Sequence, residues 1–414
     1  MPALAATGTL DESLAVLGAL LMLGALLAGL ARRSFISLAP VFVLAGFALG
    51  DGGFGVLELD PRSGFVEALA VVALIVLLFR DGLEVEEEML QTAWHLPLRK
   101  LVLAMPLTCA LVACAVKALT DLSWTEAFLL GALLSPTDPV LSSAVVTNPR
   151  VPRVLRHSLN LESGLNDGLA LPAVLAFTFA LEAQHDFVWW EFVLKDVSLG
   201  FVSGAVVAVV AARLMPRDRG LGGGPGAHQK ALFALGTGFA CYGAATLPPE
   251  GNGFIAVFVG AIVFGILRPD IRECFETRSE DLIEVVKLGV FVVFGSLFTL
   301  DELFTDGAAA VAVVAFTLLV ARPVAVFAAL AGSRTVDTAA KGFMAWFGPK
   351  GVATMTFSLF VLGSAVPEAD RIANLAALAV LTSVIAHGLT DTPGSNWLAR
   401  RYDMIAARST SQEV

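Results

Sequence analysis

Long apolar runs separated by short polar breaks occupy almost the whole chain, and each run is too long for a strand and suited to a helix. Runs able to cross a hydrocarbon core of about 30 Å begin with 14–31, 35–50, 64–79, 101–116, 125–146, 157–181 and 188–212. They continue with 231–247, 252–267, 282–300, 307–331, 340–363 and 372–392. The pattern predicts an all-α polytopic membrane protein of about 13 transmembrane helices. Two of the runs are interrupted in mid-span by proline and glycine, the fifth and the twelfth. Interrupted helices at corresponding places in two halves mark the binding site of a transporter. The spacing suggests inverted repeats, roughly 14–181 and 231–392, joined by the span 188–212, with the two interrupted helices crossing near mid-membrane.

Basic residues test this division, because short cytoplasmic loops carry most Lys and Arg. Assigning Arg80, Lys100 and Arg268 to loops with the others puts 20 basic residues on one side, against Arg62, Lys117 and Arg371 on the other. The split predicts an N-terminus outside, a C-terminus in the cytoplasm and a multi-pass protein of the cell (inner) membrane, with residues 393–414 as a short cytoplasmic tail. Composition agrees, since 57% of residues are hydrophobic and 15% charged, against about a quarter charged in soluble domains. The surrounding solvent is therefore lipid, and nothing suggests a nucleic-acid partner. The four cysteines lack metal-ligand spacing, and no basic region precedes the first apolar run as it would in a cleaved signal peptide. The glycine-rich stretch within 213–230 reads as a linker, and the acidic cluster 84–88 as a solvated span end.

Ionisable groups in mid-span are expensive to bury and default to functional candidates. Asp138, Glu162, Asp167, Arg322 and Lys350 meet that description. Asp138 lies between Pro136 and Pro139, which open the helix and free carbonyl oxygens. With the Thr137 hydroxyl these oxygens suit a hard monovalent cation such as sodium; the bland alternative is a proline kink. On the sixth span, Ser163 and Asp167 share one helical stripe, Glu162 and Asn166 the next, while Gly164 and Gly168 permit close approach of another helix. Here the alternative is a structural polar network. Arg322 needs a buried partner, for which Glu162 is the choice, leaving Asp167 to titrate. Lys350 lies in the second interrupted run as a possible charge partner. Glu191 and Lys195, four apart, read as a helical ion pair, Lys287 as a group near a span end, and His387 with Asp391 as a weaker functional candidate. If the five mid-span groups share one cavity, three carboxylates face two cations, and one proton or one sodium ion completes the balance.

The stretches Ser135-Pro136-Thr137-Asp138-Pro139-Val140, Glu162-Ser163-Gly164-Leu165-Asn166-Asp167-Gly168, Ala321-Arg322-Pro323 and Gly348-Pro349-Lys350-Gly351 resemble the monovalent cation/proton antiporter family, in its electroneutral, NhaP-like sodium/proton exchanger branch. The resemblance implies a single sodium/hydrogen exchanger domain over 1–414, forming a homodimer in which a six-helix core moves like an elevator. It implies that Asp167 carries the ion or the proton, with Asp138, Ser163, Thr137 and Asn166 near it, and that Glu162 pairs with Arg322. Sodium would then be held by Asp167, Asp138, Ser163 and Thr137, without any cofactor. The Asn166-Asp167 pair goes with electroneutral exchange in that family, whereas Lys350 stands where arginine is usual. The same motifs permit potassium in place of sodium. A channel is disfavoured by the paired buried charges, and an intramembrane aspartyl protease by the lack of a Gly-x-Gly-Asp stretch at Asp138 or Asp167.

Overall fold

A computed structural model describes residues 38–85, 95–138, 151–183, 187–216, 225–333 and 335–410, with Gly18 and Met22. Its regular elements are helices, and no strand occurs among the described residues. They are α1 (Leu38–Leu49), α2 (Gly64–Leu83), α3 (His95–Leu119), α4 (Trp124–Leu133) and α5 (Arg153–Glu182). Next come α6 (Trp189–Leu214), α7 (Ala227–Ala245), α8 (Gly253–Leu267), α9 (Pro269–Arg278) and α10 (Glu280–Ser296). The series ends with α11 (Ala308–Ala329), α12 (Thr338–Trp346), α13 (Val352–Gly363) and α14 (Ala369–Thr410). Five described helices are long and apolar enough to cross a membrane, and α8 with α9, bent by 116° at Arg268, add a sixth only if the bent pair counts as one span. The expected span 14–31 and the second half of 125–146 lie largely outside the described residues, as do 86–94 and most of the glycine-rich linker.

Polar residues set where several helices begin. Ser123 and Glu126 form a reciprocal capping box on α4, Asn252 accepts from the Phe254 and Ile255 amides at the start of α8, and Asp337 accepts from the Ala340 amide on α12. These caps satisfy amides that lipid cannot.

The helices pack as two groups. Helices α1, α2 and α6–α10 contact chiefly one another, as do α3–α5, α11, α12 and α14, while α13 divides its contacts between the two groups. The groups meet where α2 packs on α5 and α13, α8 on α5, and α10 on α13. The seam therefore runs along both α5, which carries Asp167, and the second interrupted helix.

Some expected loop residues are internal. Lys100, at the start of a wide π-helical turn (Lys100–Ala104) in α3, is fully buried. Arg268, at the α8–α9 bend, is also fully buried and donates to the carbonyls of Ala212, Met215 and Pro216 and to the Asp270 carboxylate. The apolar runs end just short of these residues although the protein does not, so counting them as loop charges was an error. Glu191 and Lys195 form no ion pair, because the π-helical stretch Phe192–Val197 widens the turn and removes the four-residue alignment.

Candidate functional site

The α4 helix ends at Leu133, the Leu134 amide still donating to the Leu130 carbonyl at 3.0 Å, and 136–138 run on without regular structure ahead of Pro139. Between α12 and α13 a second break spans 347–351. Breaks of this kind leave carbonyls at the end of one half-helix and amides at the start of the next unsatisfied. Here each break satisfies the other. The Asp138 amide donates to the Pro349 carbonyl at 2.8 Å, and the Val352 amide at the start of α13 donates to Asp138 Oδ2 at 3.4 Å. In return Lys350 Nζ donates to the Pro136 carbonyl at 3.1 Å, and Thr354 Oγ1 to the Leu133 carbonyl at 3.0 Å. The anion faces a helix N-terminus and the cation a helix C-terminus, the favourable sense for both helix dipoles. Glycine at 351 permits the crossing, since a Cβ there would lie 2.2 Å from the Asp138 Cβ.

Against this crossing lies α5. Asn166 Nδ2 donates to the Thr137 carbonyl at 2.7 Å and to Thr137 Oγ1 at 3.0 Å, which leaves Asn166 Oδ1 without a partner. Both Thr137 oxygens thus already serve the α4–α5 contact. Glu162, one turn earlier, accepts from Arg322 Nη2 at 3.3 Å on one oxygen and from Lys100 Nζ on the other. The expected Glu162–Arg322 pair is present, and Lys100 is a partner that the sequence reading placed in a loop. Arg322 also donates to the Met344 carbonyl, and its guanidinium packs against Gly348, where a Cβ would lie 2.0 Å from it. The Ser163 side chain lies outside the described residues.

Asp167 is buried, with Oδ1 lacking a hydrogen-bond partner. Its carboxyl faces that of Asp81 on α2, with Asp138 within electrostatic reach. Asp81 is buried beside Arg80, whose Nη2 stands 2.9 Å from Asp81 Oδ1 and whose Nε stands 3.2 Å from Glu84. Two carboxylates facing each other repel when both are ionised, so this pair has room for one proton or one cation between them. It also joins the two helix groups, since Asp81 belongs to one and Asp167 to the other.

Asp81 and Arg80 were missed because the run 64–79 ends one residue before them, although Gly82 and Leu83 continue α2. Glu84, expected on a solvated face, pairs with Arg80. Lys287 on α10 is half-buried within electrostatic reach of Arg80, Asp81, Glu84 and Asp138. These residues overturn the charge count. Asp81, Glu84, Asp138, Glu162 and Asp167 now face Arg80, Lys100, Lys287, Arg322 and Lys350, five against five, so a missing positive charge no longer argues for a bound cation.

The sodium/hydrogen exchanger transmembrane family profile matches residues 19–397. The chain is 24% identical over 401 residues to a K(+)/H(+) antiporter NhaP of Alkalimonas amylolytica, covering 94% of this chain and 67% of that protein. It is likewise 24% identical over 389 residues to a K(+)/H(+) antiporter NhaP2 of Shewanella baltica, covering 92% of this chain and 66% of that one. The chain thus spans about two-thirds of the length of the curated relatives it matches. The solved structure of the sodium proton antiporter MjNhaP1 from Methanocaldococcus jannaschii at pH 8 superposes with a TM-score of 0.79 at 19% identity, over 94% of this chain and 99% of that one.

Proposed function

The chain belongs to the sodium/hydrogen exchanger family, and on that premise we propose that it exchanges a monovalent cation for protons across a membrane, the two competing for Asp167. The observation that carries this reading is the buried pair of facing Asp167 and Asp81 carboxyls beside two mutually capped helix breaks. Such a pair accepts one positive charge as either a proton or a metal ion. Exchange is then one-for-one and electroneutral, because a single carboxylate carries one or the other in each crossing. The cation ligands proposed are Asp167 and Asp138, with Ser163, Thr137 and Asn166 completing the shell. Glu162, held by Lys100 and Arg322, anchors α5. Lys350 acts as a charge partner of the crossing.

Sodium, with lithium, is the proposed ion. Potassium is the second reading, favoured by the names of the Alkalimonas and Shewanella relatives. The working unit is proposed to be a homodimer in the inner membrane with its N-terminus outside, built from two inverted repeats. Transport proceeds by alternating access, the group containing α5 and the two broken helices moving against the other.

The test is exchange in proteoliposomes. Internal pH is recorded on adding sodium, lithium, potassium or calcium, for wild type and Asp167→Asn. Cation-dependent proton movement is expected in the wild type and not in the variant. A variant that exchanges at the wild-type rate overturns the site. An imposed membrane potential should leave the rate unaltered, and a rate that follows the potential overturns the one-for-one stoichiometry.

A further inference from the structure

Arg80 stands between two carboxylates of its own stretch of chain, Asp81 beside it and Glu84 one turn on, and divides its guanidinium between them. Nη2 lies 2.9 Å from Asp81 Oδ1, and Nε lies 3.2 Å from Glu84 Oε1. Both distances suit an ion pair, yet neither contact has the direction of a hydrogen bond. Arg80 Nε and Asp81 Oδ1 are buried without a hydrogen-bond partner among the described residues. A guanidinium committed to one carboxylate grips it with two parallel N–H bonds. Arg80 grips neither in that way, so it is shared by two partners and satisfied by none.

Exposure rises along the group, the side chains of Asp81, Arg80 and Glu84 being 5%, 17% and 41% exposed. Asp81 faces Asp167 across the seam. Glu84 stands at the rim of that seam, its Oε2 3.8 Å from where a Cβ at Gly164 of α5 would lie. Asp138 and Asp167 are within electrostatic reach of Arg80, and Lys287 on α10 is the other cation near the group. Rotation of the Arg80 side chain alone hands it from Asp81 to Glu84, an i,i+4 pair that needs no backbone change. A metal ion arriving between Asp81 and Asp167 thus meets a positive charge already in place, with a second carboxylate beside it to receive that charge.

We propose that Arg80 sets the affinity for the exchanged cation: it occupies Asp81 while the site holds no metal ion, yields to the ion by pairing with Glu84, and returns to expel it. The inference deepens the proposed exchange and rests on it. The half-saturating cation concentration is measured in proteoliposomes for wild type, Arg80→Gln, Glu84→Gln and the double variant. Arg80→Gln removes the internal competitor and should lower that concentration about fivefold. Glu84→Gln leaves Arg80 with Asp81 alone and should raise it about fivefold. In the double variant Glu84 would have had no arginine to receive, so the value should match that of Arg80→Gln. If Glu84→Gln raises the concentration by the same factor in both backgrounds, the two charges act only through the field they add to the site, and the proposal is overturned. Should Arg80→Gln fail to fold, solid-state NMR of the lipid-reconstituted wild type decides, with 15N-arginine and either aspartate or glutamate labelled with 13C at the side-chain carboxyl. The Arg80 signal is the one whose glutamate contact disappears in Glu84→Gln. Saturating sodium or potassium should lengthen its distance to the aspartate carboxyl and shorten that to the glutamate carboxyl, and distances unaltered by the ion overturn the proposal. A wild type that exchanges none of the cations counts against the proposed function instead, and the NMR distances then decide the role of Arg80 by themselves.

Discussion

Glu162 holds a buried cation on each carboxylate oxygen, Lys100 on one and Arg322 on the other. Removing one member of a buried ionic cluster costs about 3–5 kcal/mol, mostly because the remaining charge is stranded. Glu162→Gln strands two cations, whereas Lys100→Met leaves Arg322 and Glu162 still paired. Glu162→Gln should therefore give the larger drop in folded yield and in melting temperature, with Lys100→Met intermediate. Equal losses would mean that Arg322 relies on the Met344 carbonyl more than on Glu162. Asn166 differs in kind, since its amide nitrogen is committed to Thr137 while its oxygen has no partner within the protein.

The two broken helices act as elements because each supplies what the other lacks at its break. That geometry depends on the absence of a side chain at 351, where a Cβ would meet the Asp138 Cβ at 2.2 Å. At Gly164 the nearest atom to such a Cβ is the Asp81 carbonyl oxygen at 3.5 Å, an ordinary contact. Gly351→Ala should thus abolish cation-dependent proton movement in proteoliposomes, and Gly164→Ala should fold to wild-type yield. The α8–α9 bend rests on a different device. Hydrogen bonds from Arg268, then from Lys230, hold the Asp270 carboxyl down from its usual 3.8 to about 2, against the partial burial that raises it. A depressed carboxylate contributes stability that is complete above its unfolded pKa and lost as pH falls through the folded one. Asp270→Asn should therefore melt below the wild type at neutral pH by the equivalent of about 1 kcal/mol. That gap should close between about pH 4 and about pH 2. A gap independent of pH would mean that the carboxylate charge contributes nothing.

For the whole molecule, the decisive feature is that the carboxyl proposed as the carrier lies on the seam between two helix groups. Asp81 and Asp167 face each other across it, so any relative motion of the groups changes the surroundings of Asp167. A Cβ at position 164 on α5 would lie 3.8 Å from the Glu84 Cβ just beyond α2, within the span a disulfide needs. Gly164→Cys with Glu84→Cys, in a background whose native cysteines are changed to alanine, should cross-link on oxidation. Exchange in proteoliposomes is expected to stop when the link forms and to return on reduction. Undiminished exchange in the fully cross-linked protein would show that α2 and α5 stay together throughout the cycle.

The sequence by itself determined the solvent, the helical class and the interrupted runs, because apolar length and proline placement act locally. It also singled out Asp138, Glu162, Asp167, Arg322 and Lys350, since a charge inside an apolar run stands out without any knowledge of packing. Only the tertiary structure decided the neighbours. Arg80 and Asp81 follow an apolar run by one and two residues, and Lys100 precedes one, positions in which burial and exposure look alike in sequence. Whether such a residue snorkels out or turns inward depends on which helix lies against it, here α5 for both Asp81 and Lys100. The charge balance of the site failed for the same reason, because it is a sum over neighbours and the fold alone chooses them.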